Sequence, residues 1–356
     1  MCMDANTFYF TLGRPFAPLY SSMMRVREIC YRRGVFSMYR CPVPVVSIGN
    51  LTMGGTGKTP LVEHVARLLQ TSGWQPAVVS RGYGGQSKAR VNLVSNGQEI
   101  LLPAEMAGDE PRLLADKLPG VPVLTGPVRK LPMQKAVEMG ADAVILDDGF
   151  QHLSVARDIN MVLFNTNFLA GNSRVFPGGH LREPVAALHR ATAFVMTNVQ
   201  ANNQERAKGF KALLEERFPG KDVFFSGYTL VGLVHAKTGE IVQPETLQGK
   251  RFLGLCGIAR PEAFASSLTA AGIKVAHTLN FRDHVTYTTR IMNKIEQALA
   301  HYQPEALITT EKDMVKLRNL QVSPPLYALR MRATPDTTLD SMIVQHLAQE
   351  RGLLEQ

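Results

Sequence analysis

Gly54, Gly55 and Gly57 stand just ahead of Lys58 and Thr59 in the run Ser47–His64, SIGNLTMGGTGKTPLVEH. Glycines clustered in this way let backbone N–H groups converge on phosphate oxygens without side-chain obstruction. A helix starting behind them adds the positive end of its dipole. Lys58 can then reach the β- and γ-phosphates, and Thr59 can hold Mg²⁺. The usual spelling puts a glycine six residues before the lysine, and that position is Thr52. The GGTGKT core suits a variant loop of the same nucleotide-binding fold. Many loops of that branch have a lysine before the paired glycines; Met53 stands there, so no help comes from that side. Thr52–Thr59, including Thr56, is the predicted nucleotide-binding segment. An ordinary glycine-rich turn is the competing reading.

A phosphate loop needs a metal partner. AVILDDGFQH places Asp147 and Asp148 after four apolar residues, at what reads as the carboxyl end of a buried parallel strand, where ligands sit in such sheets. One carboxylate can hold Mg²⁺ and the other can orient it. RGYGG places Arg81 at the same sheet edge. GDEP puts Asp109 and Glu110 at a helix start, where either a cap or a reactive acid would fit. PGGHLREP carries Arg182, suited to phosphate, and Glu183, suited to metal. FRDH offers His284 beside Asp283, a pairing suited to proton handling. TTEKD (Thr309–Asp313) ends a strand and is expected to expose three charges.

These residues need elements to hold them. Val43–Asn50, Ala77–Ser80, Val121–Leu124, Ala143–Leu146, Met161–Phe164 and Phe194–Thr197 read as strands, and Pro60–Gln70, Val128–Met139 and Asn203–Arg217 as helices. Alternating β and α with near-continuous apolar strands predicts a parallel sheet covered by helices on both faces, an α/β fold of the P-loop NTPase kind. From about residue 225 a second, smaller α/β unit is expected. The resulting division is 1–41, 42–225 and 226–356.

Residues 1–41 hold six arginines against two acids, Asp4 and Glu28. Leu19, Met23, Val26 and Cys30 recur at helical spacing, with Tyr20, Met24 and Tyr31 beside them. Such a basic amphipathic helix either lies in a bilayer interface or packs on the protein's own core. The net charge of +9 favours an anionic partner. Cys2, Cys30, Cys41 and Cys256 match no zinc or disulfide framework and fit a reducing compartment. No apolar run approaches a membrane span. Nucleic acid is not expected, because the aromatics fall in apolar runs or at the N-terminus rather than among basic residues. A nucleotide-driven conformational switch would share the loop but would need no residues for proton handling.

Taken together and in order, SIGNLTMGGTGKTP, SRGYGG, GDEP, DDGFQH, FPGGHLREP, FRDH and TTEKD resemble the tetraacyldisaccharide 4′-kinase (lipid A 4′-kinase) family over nearly the whole chain. The resemblance implies transfer of the ATP γ-phosphoryl group to the 4′-hydroxyl of a tetraacylated glucosamine disaccharide 1-phosphate, forming lipid IVA. It implies ATP and Mg²⁺, an active site between a P-loop domain and a smaller α/β domain, and an N-terminal helix attached to the cytoplasmic face of the inner membrane. By the same resemblance Asp109 is the base and His284 its partner. Lys58 and Thr59 serve the phosphates and metal, with Asp147 and Asp148 behind the metal. Arg182 and Glu183 form a phosphate- and metal-side pair. Val285 departs from the polar residue found after the histidine in many relatives.

Overall fold

In the computed structural model, which describes residues 5–318 and 323–354, two helices come first: Ala5–Gly13 (α1) and Ala17–Arg32 (α2). Cys2 and Asp4 lie outside the described residues. The alternating segment follows as Val45–Asn50 (β1), Lys58–Thr71 (α3), Pro76–Ser80 (β2), Asn92–Ser95 (β3), Ala104–Ala107 (α4), Asp109–Lys117 (α5), Val123–Thr125 (β4), Lys130–Glu138 (α6) and Ala143–Asp147 (β5). Then come Ile159–Asn165 (β6), Ala193–Thr197 (β7), Gln204–Arg217 (α7), Asp222–His235 (β8) and Ile241–Val242 (β9). The chain closes with Phe252–Cys256 (β10), Pro261–Ala270 (α8), Val275–Asn280 (β11), Thr289–Tyr302 (α9), Ala306–Thr310 (β12), Glu311–Leu317 (α10), Leu326–Pro335 (β13) and Thr337–Leu354 (α11).

Among the described residues all thirteen strands belong to one sheet, ordered β11-β10-β12-β13-β8-β7-β6-β1-β5-β2-β4-β3, with β9 on β8. β1 and β5 are buried at every position and pair in parallel, Val45 against Val144 through Ile48 against Asp147. Strands buried on both faces have no use for alternation, which is why AVIL reads as an unbroken apolar run. Leu61, Val62, Val65, Ala66 and Leu69 form the buried stripe of α3 against this sheet.

β8 gives the architecture its continuity. Its first residues run parallel to β7 as far as Ser226, and from there it runs antiparallel to β13 as far as His235. The boundary expected at 225/226 thus falls inside a fourteen-residue strand shared by both halves. α11 returns to the first half, with Leu339, Ile343 and Leu347 fully buried in the same core as Val46, Val62 and Ala66.

α2 packs on the rest of the protein. Tyr20 donates to the Arg182 carbonyl at 3.0 Å, and Arg27 to the Gln151 carbonyl at 3.3 Å. Leu12 of α1, Phe16 of the turn that follows it, and Leu19, Met23 and Val26 of α2 are 58–65% exposed. Among the described residues no helix is long and apolar enough to cross a membrane.

Candidate active site

β1 delivers the chain to Asn50, whose amide ties the loop's first turn by donating to the Thr52 carbonyl at 2.6 Å. Met53 N–H donates to the His180 carbonyl at 2.8 Å, so the loop's front edge is pinned to PGGHLREP. Its far side is held by Thr197, which donates to the Thr56 carbonyl at 2.7 Å. Gly57 caps α3 with φ +78°, and a side chain there would fall on the Tyr228 hydroxyl of β8. Two reasons therefore demand glycine at this position. α3 starts at Lys58, two residues before Pro60, which occupies the first turn.

Lys58 Nζ donates to Asn50 Oδ1 at 3.2 Å and lies 3.4 Å from Asp148 Oδ1. Arg182 grips the same carboxylate at 2.8 and 3.0 Å. Burial opposes the Asp148 charge, but Lys58 and Arg182 outweigh it and hold the carboxyl at about 2. Asp147 behaves in the opposite way. Burial first, and then the nearby Glu110, push it up to about 7, with Lys58 only partly offsetting them. Its Oδ2 accepts from Ser80 at 3.1 Å, while Oδ1 is buried without a hydrogen-bond partner. Both expected acids thus stand beside Lys58. Thr59 lies in the first turn of α3. Among the described residues no three His, Cys, Asp or Glu side chains gather to hold a metal by themselves.

Asp109 opens α5 and is buried. Its predecessor Gly108 has φ +95°, and a β-carbon there would meet the Tyr83 carbonyl at 2.5 Å, so GDEP and RGYGG are locked together. Asp109 Oδ2 meets His284 Nδ1 at 3.2 Å and Lys316 Nζ at 2.8 Å. Burial works against its charge, yet the hydrogen bonds from His284 and Lys316 hold its carboxyl below the ordinary value. Arg81 is exposed, on a groove of about 320 Å³ shared with Tyr83, Lys88 and Met106.

Glu183 is set apart from this cluster. It is 3% exposed and bound to Arg190, which also lies 3.0 Å from Glu28 of α2. Through Arg190 it is linked to the N-terminal helix. TTEKD also differs from expectation: it does not expose three charges. Thr310 caps α10, its hydroxyl accepting from Asp313 N–H at 3.1 Å, and Asp313 and Glu311 are buried. Glu311 pairs with Lys117 at 2.7 Å and Arg330 at 2.6 Å.

Sequence reasoning did not single out Lys312 and Lys316 as residues of the pair, nor Arg129. Arg129 is 1% exposed, and burial pulls it down to about 10 beside Asp147 and Asp148. The lysines had a readable signal. Thr310 followed three residues later by Asp313 marks a helix start, which puts Lys312 and Lys316 one turn apart on one face. Arg129 had none.

The sequence profile of the family described as tetraacyldisaccharide-1-P 4′-kinase matches residues 10–348. The tetraacyldisaccharide 4′-kinase of Desulfotalea psychrophila is 44% identical over 97% of this chain and 99% of its own length. That of Syntrophus aciditrophicus is 38% identical over 93% of this chain and 91% of its own. The crystal structure of the "apo" form of LpxK from Aquifex aeolicus in complex with ATP superposes with a TM-score of 0.77 at 30% identity, covering 94% of this chain and 98% of that one. A match over nearly the full length, joined to the loop and acid geometry above, shows that the chain belongs to the tetraacyldisaccharide-1-P 4′-kinase family.

Proposed function

We propose that the chain transfers the γ-phosphoryl group of ATP to the 4′-hydroxyl of a tetraacylated glucosamine disaccharide 1-phosphate, giving lipid IVA, in the cleft between residues 42–225 and 226–356. Family membership makes it a kinase. What supports the assignment of parts is the Asp109–His284 contact, built from both halves of the chain. A conformational switch needs a phosphate loop alone. Phosphorylating a sugar hydroxyl also needs a destination for its proton.

The triphosphate tail lies on the amides of residues 54–57 and the N-terminus of α3, with Lys58 reaching its terminal oxygens. Asp109 accepts the proton of the 4′-hydroxyl as the oxygen attacks, and His284 keeps Asp109 in place. Arg182 and Lys58 draw charge away from the transferring group. The orphaned buried oxygen of Asp147, with Thr59 and Asp148, fits Mg²⁺, the remaining ligands coming from the nucleotide and water. When bound, that ion neutralises charge on the β- and γ-oxygens. Glu183, held by Arg190, is left out of the set.

The exposed apolar residues from Leu12 to Val26 and the arginines beside them support the reading that the N-terminal helix lies in an anionic inner-membrane surface, on the cytoplasmic face, where a four-chain lipid resides. The test uses labelled ATP and vesicles containing the disaccharide 1-phosphate. Asp109→Ala should lower kcat by about 100-fold or more while ATP affinity barely changes. An equal loss in both would make Asp109 a helix cap.

A further inference from the structure

Lys312 and Lys316 both reach the Asp109–His284 pair from α10. Lys316 Nζ donates to Asp109 Oδ2 at 2.8 Å and to the Val285 carbonyl at 2.9 Å. Lys312 Nζ lies 3.1 Å from His284 Nε2 and donates to Asp283 Oδ1 at 3.0 Å. The other ring nitrogen, Nδ1, lies 3.2 Å from Asp109 Oδ2. An ammonium group has donors and no acceptor. Contact at 3.1 Å therefore requires a lone pair on Nε2, and the imidazole proton falls to Nδ1, where Asp109 accepts it. We infer that Lys312 and Lys316 are positioning residues: Lys312 fixes His284 as its Nδ1–H tautomer, and Lys316 holds the Asp109 carboxylate that accepts that proton's hydrogen bond. This rests on the reading of Asp109 given above.

The neighbouring groups agree with this assignment. Asp109 and Glu110 face the histidine region from α5, Asp283 adjoins it in the chain, Lys312 and Lys316 come from α10, and the Tyr83 ring meets the imidazole edge-on at 5.5 Å. A proton on Nε2 would set two donors against each other. A bare Nδ1 would set a lone pair against a carboxylate. Only one neutral tautomer avoids both. The two contacts to Asp109 fall on Oδ2, which leaves Oδ1 without a protein partner among the described residues. That oxygen can meet an acceptor hydroxyl. His284 itself has φ +55°, a conformation that a residue with a β-carbon keeps only where its surroundings hold it. Here both ring nitrogens are gripped, one from each half of the chain.

The tautomer is read by ¹⁵N NMR on the full-length protein labelled at histidine, with His284 assigned from the signal lost in His284→Gln. The expected wild-type pattern at pH 8 is a protonated Nδ1 and a bare Nε2. Lys312→Met, which frees Nε2, should let it take a proton alongside the one on Nδ1 and lower kcat by about 10-fold or more, with KM for ATP almost unmoved. Lys312→Arg, which keeps a donor, should restore the pattern and most of kcat. A protonated Nε2 in the wild type, or an unchanged pattern in Lys312→Met, overturns the inference. The spectrum is independent of turnover. If Asp109→Ala turned over normally while the tautomer stood as stated, the role of Asp109 would fall and the tautomer assignment would survive.

Discussion

Lys117→Met removes the ammonium that Glu63 of α3 and Glu311 of α10 share, each at 2.7 Å. All three side chains are buried. The contact with Glu311 is a charge-assisted hydrogen bond, worth roughly 1.5–3 kcal/mol, and the ion pair with Glu63 adds to it. Two effects reduce the sum. The ammonium's own desolvation cost disappears, and each carboxylate keeps an arginine, Arg67 at 3.2 Å for Glu63 and Arg330 at 2.6 Å for Glu311. The net loss should be about 3 kcal/mol, at the low end for a broken buried pair. For a chain of this length that lowers Tm by about 4 °C. The assay is thermal unfolding by circular dichroism, alongside Glu311→Gln and the double variant. The double should be more stable than the two single effects predict by over 1 kcal/mol, because Lys117 and Glu311 act on each other. Additivity within about 0.5 kcal/mol, or a Tm shift below about 1 °C, would refute the claim that this buried charge joins α3, α5 and α10.

Lys58→Ala should abolish turnover while the chain stays folded; near-normal turnover would remove the phosphate-loop assignment. Lys316→Met takes away one of the hydrogen bonds that hold Asp109 below its ordinary value. A depressed carboxyl stays ionised, and its contribution to stability persists, until pH falls through the folded value. Without Lys316 the acid limb of kcat/KM should therefore move to higher pH, and a limb that stays in place contradicts the assignment. Leu19→Glu with Met23→Glu should weaken binding to vesicles of anionic lipid without changing ATP binding, measured by co-sedimentation. Unchanged binding would mean that these exposed residues are not what meets the bilayer.

Much of the site was legible because its chemistry needs rare residues at sheet edges. AVILDD announces a buried strand ending in acid, and β5 ends at Asp147. The loop could be read because glycine, lysine and threonine must be consecutive there. Contacts between segments distant in sequence were not legible. Nothing near Glu183 in the sequence says that Arg190, seven residues on, pairs with it. Glu311 looked exposed because a charged residue after a strand usually is; its partners Lys117 and Arg330 come from elsewhere in the chain. β11 escaped notice since it is an edge strand of mixed polarity that pairs only with β10. β13 alternates arginine with apolar residues, which hides a strand lying inside the sheet. Leu339, Ile343 and Leu347, at intervals of four, were there to be read as a helix, but nothing local says that the helix returns to α3.

Because β8 and α11 each belong to both halves, neither half makes a self-sufficient fragment. A piece ending at residue 225 would lose most of β8 together with β13, and would expose the apolar patch that α11 covers. Such a fragment would aggregate in place of behaving as an independent nucleotide-binding module. Any motion that separates the walls around the substrate must therefore come from flexing this shared strand, since there is no loose tether at that crossing to swing on.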